Sequence, residues 1–194
     1  MEIVVSLTSV LIALIVAIYT YKNNAIQNKK MLVAFTLQYI EMENADKELQ
    51  QARIWLEEVV VLPNIDVKLY SNRKMFFENF GVEIEIEENK FSFNLEDMEV
   101  WIKYRTGAGH IHKILEARQV ASEALRRGML DESTYRLIRC GDFMKDFIRL
   151  KSFIEGIDKY RENNKKNSPK FLEDFRYIIQ RWKDIQIPEE IILK

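Results

Sequence analysis

Apolar and polar residues follow three different rhythms along this chain of 194 residues. From Ile3 to Tyr21 there is hardly a rhythm at all: IVVSLTSVLIALIVAIYTY is 19 residues without a charge. A helix of that length is about 28 Å long, against a hydrocarbon core of about 30 Å, so a transmembrane helix is predicted over 1–22. Only Met1 and Glu2 precede the run and no small-x-small cleavage site follows it, which argues against a secretory signal. Helices buried in soluble cores seldom stay apolar on every face. Tyr19 and Tyr21 stand at the end where an aromatic belt belongs. Lys22, Lys29 and Lys30 follow, which places the N-terminus outside and the rest of the chain in the cytoplasm. Within the run Ser6, Ser9, Ala13, Ala17 and Thr20 form one stripe at spacings of three, four, four and three. Small residues let helix backbones approach closely, so the stripe predicts self-association or pore lining, as an alternative to facing lipid.

The second rhythm begins at Asn23. No Pro or Gly interrupts the chain to Val61, and Leu32, Phe35, Tyr39, Met42, Ala45, Leu49, Ala52, Leu56 and Val59 recur at threes and fours. This predicts a long amphipathic stalk helix over 23–62. Leu62-Pro63-Asn64 stops it, and Asp66 caps a helix running to Phe80 before Gly81. A strict alternation follows in Val82-Glu83-Ile84-Glu85-Ile86-Glu87, then Phe91-Ser92-Phe93, which predicts a small β-hairpin near 82–93. Asn94 and Asp97 resemble a cap for the next helix, which Gly107 and Gly109 bend or break before it ends at Gly128. Asp131 is expected to cap a short helix to Cys140, Asp142 to open another to about Asn164, and Ser168-Pro169 to start the last through Trp182. The fold class predicted is mostly α: a transmembrane helix, a stalk, and a cytoplasmic helical bundle over 63–194 with one hairpin.

Composition narrows the function classes. The scarcity of Gly (6) and Pro (3) disfavours turn-dense all-β folds. The 29 basic and 30 acidic residues nearly cancel, which disfavours a dedicated non-specific DNA binder. The single Cys140 excludes an intrachain disulfide and reads as a packed residue before a nucleophile. His110 and His112 diverge by about 200° on a helix, so they do not share a metal there. Thr106-Gly107-Ala108-Gly109-His110 lacks the GK[ST] ending of a phosphate loop and reads first as a hinge. No carboxylate pair stands out as acid and base, so no catalytic residue, metal or cofactor is assigned and the chain is not read as an enzyme.

The net charge of −1 conceals two opposed segments. Glu83 to Glu99 holds seven acidic residues and one lysine. Lys103 to Arg127 holds Lys103, Arg105, Lys113, Arg118, Arg126 and Arg127 against Glu116 and Glu123, with Trp101 and Tyr104 beside it. Cations with aromatic neighbours suit a nucleotide or a short single-stranded oligonucleotide, so Arg105, Lys113, Arg118, Arg126 and Arg127 are candidate ligand contacts. The competing reading is a solvated face paired with acidic neighbours.

The junction Arg126-Arg127-Gly128-Met129-Leu130-Asp131-Glu132 is followed by Phe153-Ile154, Lys159-Tyr160-Arg161, and Ser168-Pro169-Lys170-Phe171-Leu172-Glu173-Asp174-Phe175 through Arg181-Trp182. With the apolar start, this resembles prokaryotic single-pass, membrane-anchored helical proteins of antiphage defence, including the Hailong-type transmembrane effector. The resemblance covers roughly residues 115–183 plus the anchor, and it is a pattern of helix junctions. It implies a bacterial inner-membrane effector that forms a channel or disrupts the membrane as a homo-oligomer, tetramer or larger. It also implies contact with membrane lipid, control by a nucleotide signal, and a signal-producing nucleotidyltransferase as partner. The other expectation from the sequence is a membrane-tethered adaptor that holds a cytoplasmic partner.

Overall fold

Among the described residues six α-helices carry the fold: α1 (Glu2–Ala45), α2 (Lys47–Val61), α3 (Arg73–Asn79), α4 (Met98–Arg126), α5 (Glu132–Asn163) and α6 (Glu173–Lys183). A 3-10 helix, η1 (Val67–Ser71), precedes α3. Two short strands, β1 (Glu85–Glu87) and β2 (Lys90–Ser92), pair antiparallel with Ile86 opposite Phe91. The computed structural model describes the backbone over 2–61, 66–82, 85–87, 90–92, 97–163 and 172–183, and side chains over 14–59, 66–82, 97–162 and 172–183. Ser168-Pro169, Asn94, and the side chains of Ser6, Ser9 and Ala13 lie outside the described residues.

The membrane expectation is corrected. Among the described residues no helix is long and apolar enough to cross a membrane. Described side chains begin at Leu14, and the uncharged run then lasts only to Tyr21, about 12 Å of helix. The helix continues without a break into polar Lys22–Lys30. The single-pass placement in a bacterial inner membrane and the channel read from it fall with it.

The stalk is likewise not one helix. The chain breaks at Asp46, whose Oδ1 accepts from the Leu49 amide at 3.0 Å and so caps α2. In α2 the apolar seam is buried as spaced, through Leu49, Ala52, Leu56 and Val59. In α1 the buried seam is instead Thr36, Ile40 and Glu43, about 100° round from the apolar stripe, while Phe35 and Met42 stay exposed.

Central to the bundle is α4, which packs against α2 and α6. It runs straight through Gly107 and Gly109, so the expected break is absent. The two helices expected over 131–164 are also one, α5, with Asp142 inside it and paired to Arg139 at 3.1 Å. One end of the core is aromatic, where Tyr70, Phe76, Phe77 and Tyr104 are linked by five ring contacts of 4.7–6.3 Å between centroids. Its other end gathers Tyr135, Phe143, Phe175 and Trp182. Here α6 buries Phe175, Ile178, Ile179 and Trp182 at i, i+3, i+4 and i+7, each worth about 1.5–3 kcal/mol relative to exposure.

The junction between α4 and α5 is built by its sequence. Gly128 takes a positive φ of 69°, which ends α4 cheaply. Leu130 then drops into the core and Asp131 caps α5, accepting from the Thr134 amide at 2.9 Å. Hydrogen bonds from Ser133 and Thr134 hold the Asp131 carboxyl below its ordinary value of 3.8. A lowered folded value stabilises the protein above the unfolded value and loses that contribution as pH falls through the folded one. Stability is therefore expected to drop on acidification below pH 3.8, and less so in Asp131→Ala, which itself costs about 0.5–2 kcal/mol at neutral pH. Thermal unfolding of both proteins across that range checks this.

Candidate functional site

The five cations singled out from the sequence do not form one surface. Arg118 is fully buried. Arg126 pairs with Asp174 at 2.6 Å and lies over the Tyr177 ring, while Arg127 pairs with Glu123 at 2.6 Å. Lys113 bridges Asp46 at 3.0 Å and Glu48 at 3.2 Å across the α1–α2 break, and those bonds hold its ammonium above its ordinary value. Arg105 is exposed on α4, more than three turns from Arg118. Four of the five are thus fastened to carboxylates of the same chain. Of the small-residue stripe, Ala17 and Thr20 are described, and both are exposed.

What the structure does assemble is a buried ionic junction among α1, α4 and α5, with α2 at its margin. Arg118 Nε donates to Asp146 Oδ2 at 2.8 Å, and Nη2 stands 2.7 Å from the same oxygen. Its Nη1 faces Glu43 at 3.6 Å, and its guanidinium carbon lies 4.5 Å from the Phe143 ring centroid. Glu43, on α1, accepts from the Tyr135 hydroxyl at 3.0 Å and faces Arg139 Nε at 3.3 Å. Arg139 also donates to the Ile40 carbonyl and to Asn44 on α1. Burial alone would lower the Arg118 pKa, but Asp146, Tyr135 and Glu43 around it hold it above the ordinary value. Half-buried Arg53 on α2 is lowered, by burial and then by the like charge of Arg118, and its Nε and Nη2 have no hydrogen-bond partner among the described residues.

A hydroxyl completes the attachment of α1. Thr36 Oγ1 donates to the Leu32 carbonyl and accepts from the Asp131 amide, both at 2.8 Å. These contacts fix how α1 leaves the bundle. They are positioning contacts, and Glu43 also reaches the wall of the cleft beside the junction. Glu43, Arg139, Asp146 and Tyr135 escaped sequence reasoning. The available signal was a polar Thr36 and Glu43 at helical spacing around Ile40.

Beside the junction lies an open cleft of about 280 Å³ with Tyr39, Met42, Lys113 and Val120 in its wall. A second of about 340 Å³ adjoins it at Gln51, His110 and His112. His110 lies against Trp55 at 5.3 Å, and burial lowers its pKa, whereas His112 meets Phe153 edge-on at 5.8 Å. Among the described residues no group of His, Cys, Asp and Glu could hold a metal ion. Burial pushes the Cys140 thiol up, which disfavours the nucleophilic thiolate.

The other conspicuous feature is uncovered. Residues 14–31 of α1, about 27 Å of helix, are exposed throughout and include Leu14, Ile15, Val16, Ile18, Tyr19, Tyr21, Ile26 and Met31. At about 100° per residue these side chains point in every direction around the axis. The apolar part of this exposed length is Leu14 to Tyr21, about 12 Å of helix.

No curated protein and no solved structure matches the chain. A family profile described as a domain of unknown function (DUF4760) matches residues 7–182, which takes in the exposed part of α1, the ionic junction and α6. The chain belongs to the DUF4760 family.

Proposed function

We propose that the chain is a self-assembling interaction module in which copies join through α1 and the bundle holds that helix at a set angle. The exposed apolar run from Leu14 to Tyr21 carries the reading. One partner helix covers an arc of only about a third of such a surface, so burial on all sides needs three or more copies. Ala17 and Thr20 let the helices come close, and Tyr19 and Tyr21 supply large contact area at low entropic cost. The resemblance of the Arg126–Glu132 junction to antiphage effectors supports placing this assembly at the output of a defence response.

Sedimentation velocity of the full chain tests it. The native protein is expected as a trimer or larger, and Ile15→Glu with Ile18→Glu as a monomer of unchanged helicity. A native monomer at tens of micromolar, or an unchanged mass in the variant, overturns the reading. Phage plating with the same variant tests the defence role, which predicts lost protection.

A further inference from the structure

Side chains make the bend between α1 and α2. No Pro or Gly stands between Asn23 and Val61. Two helical bonds still cross the bend, from the Asp46 amide to the Met42 carbonyl at 3.1 Å and from the Gln50 amide to the Asp46 carbonyl at 3.0 Å. The Leu49 amide, which a continuous helix would give to Ala45, goes instead to Asp46 Oδ1 at 3.0 Å. The Glu43 carbonyl, which would accept from the Lys47 amide, accepts from the Gln50 side chain at 3.4 Å. Lys113 on α4 braces the bend, 3.0 Å from Asp46 Oδ2. These side-chain bonds stand in for backbone bonds that straightening would return. We propose that α1 has a second docked position, in line with α2 and packed along α4, with Asp46 as the hinge between the two.

Packing and sequence both lay out that second position. Phe35, Tyr39, Met42 and Ala45 continue, at threes and fours, the seam of Leu49, Ala52, Leu56 and Val59 that α2 buries. In the bent chain the continuation is left in water, with Phe35 48% and Met42 63% exposed. Helix α2 packs on α4, and past Lys113 α4 presents Ala117, Val120 and Ala124 at i, i+3 and i+7, with Val120 49% exposed. Parts of both stripes wall the open cleft of about 280 Å³: Tyr39, Met42 and Leu49 on one side, Ala117 and Val120 on the other. The cleft is the wedge that the bend leaves open. Straightening closes it, extends the α2–α4 interface along both stripes, and releases Glu43 from Arg139 and Thr36 from the Asp131 amide. Each position thus keeps what the other gives up, ionic contacts in one and apolar burial in the other. Leu14 lies 32 residues before Asp46, about 48 Å along the helix, so each 10° of straightening carries it about 8 Å.

The test is maleimide labelling of single thiols in the full chain with Cys140→Ser. Met42→Cys reports the stripe that straightening covers, and Ile40→Cys, at a buried side chain, reports the seam that it uncovers. Glu43→Gln with Asp46→Leu removes the ionic contact and the cap that hold the bend. In that background Met42→Cys is expected to label at least about tenfold more slowly, and Ile40→Cys at least about tenfold faster, than the same thiol in the otherwise native chain. Asp46→Leu with Gln50→Ala, which keeps Glu43 and its partners, is expected to move both rates in the same opposed directions by about twofold or more. This second variant decides where the first loses its helicity. Any pattern but opposed shifts overturns the proposal: both thiols faster means that α1 only leaves the bundle, and unchanged rates mean that it has one position. The rates are read within one chain and none of these positions lies in Leu14–Tyr21, so the result is independent of how copies assemble.

Discussion

Replacing Arg118 with methionine should cost about 3–5 kcal/mol, because it leaves Asp146 charged and buried without the guanidinium that pairs with it at 2.7 Å. For a chain of this size that lowers the melting temperature by about 6–20 °C. Arg118 is wholly buried, so water does not take its place. Asp146→Leu should cost a similar amount for the converse reason, with Arg118 left facing Glu43 at 3.6 Å. The double variant, Arg118→Met with Asp146→Leu, is the informative one. It removes both charges, fills the space with apolar volume, and leaves Glu43 with Arg139 and Tyr135. It should recover at least half of the loss of either single change, since an apolar replacement of a buried ion pair is often neutral. Urea unfolding followed by tryptophan fluorescence gives all four corners of the cycle. Additive losses would show that the two side chains act separately.

The second large effect is at Gly107. A methyl group there would stand 2.2 Å from Tyr70 Cε1 and 2.7 Å from Trp55 Cζ2. Tyr70 is itself buried against Phe76, with ring centroids 4.7 Å apart, so it cannot retreat. Its hydroxyl is pushed up to about 12 by the same burial. Gly107→Ala should therefore lose about 2–3 kcal/mol to overpacking despite the better helix propensity of alanine. Gly109→Ala meets nothing within 4 Å and should gain about 0.5–1 kcal/mol from propensity alone. Melting temperatures that move in opposite directions at two glycines two residues apart would confirm that close ring packing, and no hinge, explains Gly107. Equal shifts would refute it.

These two sites also show what was legible in the sequence. Helix α6 was readable because one strip of four apolar residues does all its packing. The same holds for α2, and for the Gly128 and Asp131 punctuation, where the chemistry is local. The seam of α1 was not readable, because Thr36 and Glu43, which flank its buried Ile40, are polar and their partners lie about a hundred residues away, at Asp131, Tyr135 and Arg139. A cation that looks available to a ligand in sequence, such as Arg118 or Lys113, is already engaged once distant carboxylates fold against it. Gly107 resembled a hinge because sequence shows a missing side chain and not the rings that fill its place. The apolar start was conspicuous, yet among the described residues it is the exposed part of a longer helix and not a span.

The bond between Thr36 and the Asp131 amide joins residues 95 positions apart. During synthesis at about 5–20 residues per second, α1 leaves the ribosome roughly 5–20 s before the residues that receive it exist. Its apolar length and its unpaired Glu43 are exposed to the cell for that whole interval. Docking of α1 is a late, non-local step with a high loop-closure cost, so slow refolding and aggregation of the nascent chain should respond to the α4–α5 junction more than to α1 itself. A chaperone that holds α1 until Asp131 emerges would raise the yield of assembled protein without touching the folded state.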